Sequence, residues 1–334
     1  MALSRTVGTL LAGTMLAVGV FAPVQADTLT DTLIRAYQLS PVLETERARL
    51  RNTDENVAIA RSARRPTLDA LATADFSGTD NTDYELRDSY QAQLRSSLLL
   101  YDHGQTASAI EAAKAAVAAG RASLRDVEQQ VLLAAATAYM DVRRNIQAVQ
   151  VGVNNVTVLE EQVRATRDRF ELGEVTRTDV ALAESRLAQA QANLAVFQGE
   201  LTASEEEFLS VVGVPASNLE TPPPLPAVPP TLERIEAVAI AEHPALLAAR
   251  YLETVAQFDL QRARGARGPS LTADAIAGVS NTDTLISRDG DNQLSLGFTG
   301  NLPIYKGGEL SALVRELRTE LDAERARSAS LIRR

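Results

Sequence analysis

The chain has 334 residues, with 33 Lys and Arg against 43 Asp and Glu, for a formal net charge of -10. So acidic a chain lacks the basic footprint that nucleic-acid binding needs. With no cysteine it can hold no disulfide, thiolate metal site or cysteine-linked lipid anchor. Tryptophan is absent and aromatics make up 4%, so long helices packed through small side chains suit the composition better than a core of large rings.

Arg5, the apolar run Val7 to Phe21 and the ending Pro23-Val24-Gln25-Ala26 read as a signal peptide over residues 1–26, cut after Ala26. The run is short for a membrane helix, and no later stretch is long and apolar enough to be one. Helix-like text follows at Leu33 to Leu43, containing Ser40-Pro41, and a helix is expected over Val42 to Ala63. After Pro66 the pattern changes to period two. Leu68, Ala70, Ala72, Ala74 and Phe76 alternate with Thr67, Asp69, Thr73 and Asp75, with Leu71 the exception on the polar face. Alternation of this kind marks a strand with two unlike faces. Its expected partner puts Ala92, Leu94, Leu98 and Leu100 on one face and Gln91, Gln93, Arg95 and Ser97 on the other. Gly78 to Asp83 is rich in turn formers and reads as the loop between them.

No proline occurs from Gly104 to Leu172. Ile110, Ala113, Val117, Gly120, Leu124, Val127 and Val131 step by three and four as in a heptad seam. Two four-residue steps carry the stripe through Ala135 to Tyr139, and it resumes at Val142, Ile146, Val149, Val153 and Val156. Such an insertion locally unwinds a left-handed supercoil. The expected helix is about 100 Å long at 1.5 Å per residue. Gly173 is placed to end it in a left-handed conformation. Thr176 and Asp179 make a capping-box pair, with Asp in place of Glu, for a return helix to Val212.

The unit is then written again. Ser40-Pro41, Arg61 and Pro66 recur as His243-Pro244, Arg264 and Pro269 at an offset of 203. Tyr101 and Gly104 recur as Tyr305 and Gly308 at 204, which one inserted turn residue explains. In the second copy Leu271, Ala273, Ala275, Ala277 and Val279 alternate with Ser270, Thr272 and Asp274. Leu294, Leu296, Phe298 and Leu302 alternate with Gln293, Ser295, Thr299 and Asn301, and Asn281 to Asn292 is the expected loop. The organisation read from this is a first repeat over 27–220, a Pro-rich linker over 221–231 and a second repeat over 232–334. The second copy stops at Arg334 early in its long helix, and reads as a fragment or a truncated product.

Four strands of about ten to twelve residues are long enough to cross an outer membrane at a tilt, but too few to close a barrel. An open sheet edge in lipid leaves backbone groups unpaired, so other subunits must complete it. Two copies would give eight strands and three would give twelve. A soluble sheet with one wet face is the competing reading.

With these features in place, the chain resembles the TolC-like outer-membrane efflux and type I secretion proteins. The resemblance rests on the doubled layout and on the junctions Tyr101 to Gly104 and Pro303 to Gly308. It rests also on Phe208-Leu209-Ser210-Val211-Val212-Gly213-Val214-Pro215 and, most specifically, on Arg169-Phe170-Glu171-Leu172-Gly173-Glu174-Val175-Thr176-Arg177-Thr178-Asp179-Val180. It implies a fold that is mainly α with β hairpins: a long α-helical coiled-coil barrel plus four membrane strands per chain in a twelve-stranded trimeric β-barrel. The implied function is an outer-membrane duct extending into the periplasm. The implied partners are two further copies in a homotrimer, a periplasmic membrane-fusion adaptor, an inner-membrane transporter (ABC or proton-driven) and lipid. By the same resemblance Leu172, Gly173, Glu174 and Val175 are adaptor contacts, and Thr178 and Asp179 line a constriction. Leu68, Ala70, Leu94, Leu98, Leu271, Ala273, Leu296 and Phe298 form the apolar face of the membrane strands. A soluble periplasmic coiled-coil adaptor is the alternative; it predicts one helical hairpin and one compact β-module.

No chemistry emerges from the residues. His103 and His243 sit apart at helix-start positions, without a metal-spaced Cys/His/Glu set. Gly307-Gly308 is followed by no phosphate-loop lysine. No enzyme, cofactor or metal is expected.

Overall fold

The computed structural model describes residues 27–333 apart from 82, 225, 226, 228–230, 285 and 286. The expected signal peptide and most of the Pro-rich linker's tip lie outside them.

A short helix α1 (Leu29–Leu39) is the first element of the described residues, its Thr28 side chain accepting a hydrogen bond from the Asp31 backbone N–H. The sequence pattern ran this helix on past Ser40, but the structure breaks it there. Ser40 is extended (φ -64°, ψ 116°), and α2 (Pro41–Ser62) starts afresh with proline at its first position. Proline crowds the residue before it out of the helical region and suits a first turn, where its missing N–H costs nothing. His243 repeats the conformation (φ -62°, ψ 121°) between α5 (Leu232–Glu242) and α6 (Pro244–Gly265).

Strands β1 (Thr67–Asn81) and β2 (Asp83–Tyr101) pair antiparallel, as do β3 (Ser270–Thr284) and β4 (Ser287–Asn301). The strands are 15 to 19 residues long, not ten to twelve. Pairing runs into both stretches read as loops, as far as Asn81↔Asp83 and Thr284↔Ser287, because a set register continues outward through backbone hydrogen bonds whatever the strand preference of the side chains. One residue separates β1 from β2 and two separate β3 from β4, so the change of offset falls at the hairpin tip. The hairpins join through β2 and β3, giving one antiparallel sheet in the order β1-β2-β3-β4 with β1 and β4 at its edges.

Each second strand leads into a helix through a left-handed glycine, Gly104 at φ 84° before α3 (Gln105–Glu171) and Gly308 at φ 89° before α7 (Glu309–Ile332). Before α3, the Asp102 carboxylate accepts from the backbone N–H groups of Gly104 and Thr106. Burial pushes this carboxyl up, but the hydrogen bonds from Thr106 and Gly104 and the nearby Arg64 charge outweigh it and hold it below 3.8. Lys306 occupies the matching place in the second copy and cannot accept. Asp102→Ala is expected to lower stability by about 1 kcal/mol, a usual cost of losing an N-terminal cap. A group with a depressed folded pKa stabilises above its unfolded value and loses that contribution as pH falls through the folded value. The gap between wild type and variant in thermal melts should therefore close in acid.

Helix α3 has 67 residues, about 100 Å. Helices α2, α6 and α4 (Arg177–Val212) all pack along it, and α7 packs on α6. Ile110, Val117, Ala135, Tyr139 and Val142 are buried on α3 as the heptad pattern anticipates. Ala113, Gly120, Leu124, Val127 and Val131 of that stripe are only half-buried, and Ala112, Ala115, Ala119 and Ala122 beside it are buried, since both α2 and α6 pack on this helix. Beyond Val142 the pattern is corrected. Ile146 and Val153 are exposed, and the buried line runs through Asn145, Gly152 and Val163. Gly152 lets α4 approach so closely that an added Cβ would sit 3.1 Å from both Leu194 and Phe197. The buried Asn145 donates from Nδ2 to the Glu200 carbonyl at 3.1 Å.

The main buried cluster lies midway along α3. Tyr139, Ala135, Ala138 and Val142 meet Ala36 of α1 and Phe208 and Val212 of α4. The Tyr139 hydroxyl donates to the carbonyls of Asp27, 3.1 Å, and Glu220, 2.6 Å. Asp27 and the segment after α4 are thereby tied to the long helix.

Candidate functional site

Two regions carry the residues singled out in the sequence, one at each end of α3.

The first is the sheet. Registers Ala70↔Leu94, Leu94↔Ala277, Leu98↔Ala273, Ala273↔Phe298 and Ala275↔Leu296 place the even residues of β1, β2 and β4 with the odd residues of β3. Side chains alternate along a strand, so Leu68, Ala70, Leu94, Leu98, Leu271, Ala273, Leu296 and Phe298 share one face. A bulge between Leu99 and Tyr101 brings Tyr101 opposite Leu271 and onto that face too. Among the described residues no element packs over it: Leu68 is 72% exposed, Leu294 87% and Phe298 67%. An uncovered apolar face of this extent marks a surface made for another apolar phase or partner. Phe76 and Tyr90 meet edge to face, centroids 6.0 Å apart, toward the hairpin tips. Tyr101 and Tyr305 lie toward the helical end; on β2, Tyr101 stands eleven residues beyond Tyr90, about 35 Å along the strand. The opposite face is polar. There Arg95 pairs with Asp274 across β2 and β3 at 3.2 Å and stands in register with Asp69. Alternation marks those residues as polar, but nothing in the sequence says that strands 179 residues apart are neighbours.

The second region is the turn between α3 and α4. Leu172 is the last residue near helical conformation (φ -82°, ψ -5°) and Gly173 follows at φ 78°. The Gly173 and Glu174 N–H groups donate back to the Phe170 and Arg169 carbonyls, each at 2.9 Å. Arg169 also pairs with Glu174 at 3.2 Å. Nothing lies within 4 Å of where a Gly173 Cβ would stand, so a side chain there meets only backbone strain. Gly173→Val is expected to cost about 1–2 kcal/mol for that reason, read as earlier melting of the hairpin.

Thr176 caps α4 with the capping box the sequence suggested. Its N–H donates to Asp179 Oδ2 at 2.8 Å, and the Asp179 N–H donates to Thr176 Oγ1 at 3.3 Å. The bonds from the Thr176 backbone and then its hydroxyl hold the Asp179 carboxyl below 3.8. Leu172, Gly173, Glu174, Thr178 and Asp179 are all exposed and Val175 is half-buried. The structure thus brings the expected contact and constriction residues into one protruding turn. The histidines stay apart: His103 Nδ1 lies 3.1 Å from the Tyr101 hydroxyl, and His243 stands between α5 and α6. Among the described residues no acidic or histidine cluster is arranged to hold a metal, and no helix is long and apolar enough to cross a membrane.

The class these features define is a wall segment: a layer of long helices continued by a sheet with one uncovered apolar face and two open edges. One sheet built from two hairpins, carrying a doubled helical layer, does not fit the soluble adaptor, which required a single hairpin and a compact β-module. The family model for outer membrane efflux proteins matches residues 33–214, and the chain belongs to that family. It is 36% identical over 302 residues to the outer membrane efflux protein BepC of Brucella suis, a match covering 90% of this chain and 65% of that protein. Against the outer membrane protein TolC of Vibrio cholerae it is 27% identical over 301 residues, covering 88% of this chain and 68% of TolC. The chain thus spans about two thirds of the length of these relatives. The solved structure of the outer membrane protein VceC of Vibrio cholerae shares the fold, with a TM-score of 0.79 at 20% identity over 91% of this chain and 75% of that one.

Proposed function

We propose that this chain is a subunit of an outer-membrane duct for efflux or type I secretion, closed as a homotrimer with twelve strands in the membrane and helices reaching into the periplasm. The observation that carries the reading is the uncovered apolar face running across all four strands, on a sheet whose β1 and β4 edges remain open. Lipid covers such a face without leaving a polar group buried, and symmetry-related copies pair the edges. Substrates pass along the polar face, past Arg95 and Asp274.

At the far end the turn carrying Leu172, Gly173, Glu174 and Val175 meets a periplasmic adaptor, which joins the duct to an inner-membrane transporter. Leu172 supports this role, being 76% exposed at the end of a helix about 100 Å long. Thr178 and Asp179 constrict the closed duct. Only one carboxylate oxygen of Asp179 is engaged in the cap, and the other is available to a partner across the axis. Residues 1–26 direct export, and residues 27–220 and 232–334 act as two copies of one structural unit.

The test is cell fractionation with carbonate washing, followed by electrophoresis of unheated samples. A washed outer-membrane pellet containing a band at three times the chain mass supports the duct. Release of the protein as a soluble periplasmic species would remove the basis for it.

A further inference from the structure

We propose that the base of the sheet, where strands meet helices, carries a basic collar that binds the phosphate headgroups of anionic phospholipids in the leaflet facing the helical layer. This rests on the reading of the sheet as the part that spans the membrane.

The collar stands out against the charge of the chain. Residues 60–68, 100–106, 259–270 and 302–309, which connect strands to helices in both repeats, carry seven Lys and Arg and three acidic residues, Asp102, Asp259 and Glu309, in a protein of net charge -10. The strand segments toward the hairpin tips, 75–91 and 280–293, carry eight Asp and Glu and two Arg. The sheet is therefore polarised along its length, basic at the helical end and acidic at the other.

The two repeats place four of these cations alike. Arg61 and Arg64 end α2 and enter β1; Arg264 and Arg267 do the same for α6 and β3. Arg65 and Lys306 stand in the connecting turns. All six are exposed. Two have other work: Arg64 lowers the Asp102 pKa, and Arg267 donates to the Leu310 carbonyl at 3.3 Å. Among the described residues no carboxylate forms an ion pair with Arg61, Arg65, Arg264 or Lys306, although Arg262 nearby is paired with Asp259 at 3.0 Å.

The apolar face runs directly into this band. Leu68 is 72% exposed, Ile304 91% and Tyr305 85%, and each lies within a few residues of a collar cation. Apolar and aromatic side chains beside unpaired guanidinium and ammonium groups match the boundary between acyl chains and phosphates. Arginine adds bidentate bonding to phosphate oxygens. Lipid supplies both halves of that chemistry at once, which a free phosphate or a soluble acidic peptide does not.

The experiment is flotation of the purified full chain with three sets of vesicles: phosphatidylcholine alone, phosphatidylcholine with about 20 mol% phosphatidylglycerol, and phosphatidylcholine with about 20 mol% lipid A. Each Lys or Arg held at an anionic surface raises affinity about fivefold. The chain is expected to favour the phosphatidylglycerol vesicles more than about tenfold at about 50 mM salt, and to lose most of that preference at about 500 mM, where screening is strong. A variant with Arg61, Arg65, Arg264 and Lys306 each changed to Gln should float equally with both lipids while keeping the wild-type circular dichroism. Changing the three arginines to Lys should keep the preference.

Binding to phosphatidylcholine without a phosphatidylglycerol preference, or an undiminished preference in the Gln variant, would overturn the collar and leave the membrane sheet standing. A stronger preference for lipid A would overturn it in favour of the opposite leaflet. Failure to float with any vesicle would overturn the membrane sheet itself.

Discussion

Leu94→Arg is expected to keep the protein out of the outer-membrane fraction, while Gln91→Arg, three residues away on the same strand, leaves it there. Leu94 lies on the central strand β2, opposite Ala70 on one side and Ala277 on the other, in the middle of the uncovered face. A guanidinium on the lipid face near the bilayer midplane costs about 2–4 kcal/mol, and a closed ring repeats the cost in every subunit. Gln91 points to the opposite face, opposite Thr73 and Ser280. Arg95 already stands on that face and is paired with Asp274. The comparison isolates the face from the strand, since both substitutions add the same charge to the same element. If the two variants fractionate alike, the apolar face does not meet lipid.

Tyr139→Ala is expected to be the most damaging single change in the helical layer, lowering stability by about 3–5 kcal/mol as for other large aromatic truncations in cores. Tyr139 is fully buried, and its ring fills the cluster where α1, α3 and α4 meet. Tyr139→Phe keeps the ring and removes only the hydroxyl. It leaves the Asp27 and Glu220 carbonyls without that donor, at a cost of about 1–3 kcal/mol. Glu220 is partly compensated, because its carbonyl also accepts from Arg143. Denaturant unfolding of the two variants separates packing from hydrogen bonding. Burial, with the charges of Glu220 and Asp27 assisting against that of Arg143, raises the tyrosine above its ordinary 10.0. A folded pKa above the unfolded one means a contribution present at lower pH and lost as pH rises through the folded value. The wild-type advantage over Tyr139→Phe should therefore narrow in strong alkali. An Ala variant as stable as the Phe variant would show that the ring is not what holds the three helices together.

Local features could be read from the residues because their causes are local. The faces of the strands follow from a period of two, which survives any error in strand length. The Thr176–Asp179 cap lies within one turn. The junction glycines Gly104 and Gly308 sit where the backbone turns left-handed. The 203-residue repeat aligns α1 with α5, α2 with α6 and β1 with β3 at both ends of each, since like sequences meet like local demands.

What required the tertiary structure is what depends on segments far apart in the chain. Ser40-Pro41 read as helical because the apolar spacing ran through it, whereas the steric demand of the proline ring divides the segment in two. The buried line along the second half of α3 could not be found by following apolar residues. There a helix is accommodated by an absent side chain at Gly152 and by a hydrogen bond from Asn145, both chosen by what α4 presents. By spacing Tyr139 is one more stripe residue; only the fold sets the carbonyls of Asp27 and Glu220 beside its hydroxyl. The pairing of β2 with β3, which makes one sheet of two hairpins and aligns their apolar faces, joins strands separated by the whole of α3 to α6. No local preference encodes that adjacency. It is decided by the packing of α6 against α3, which sets the two hairpins side by side and lets their backbone groups pair.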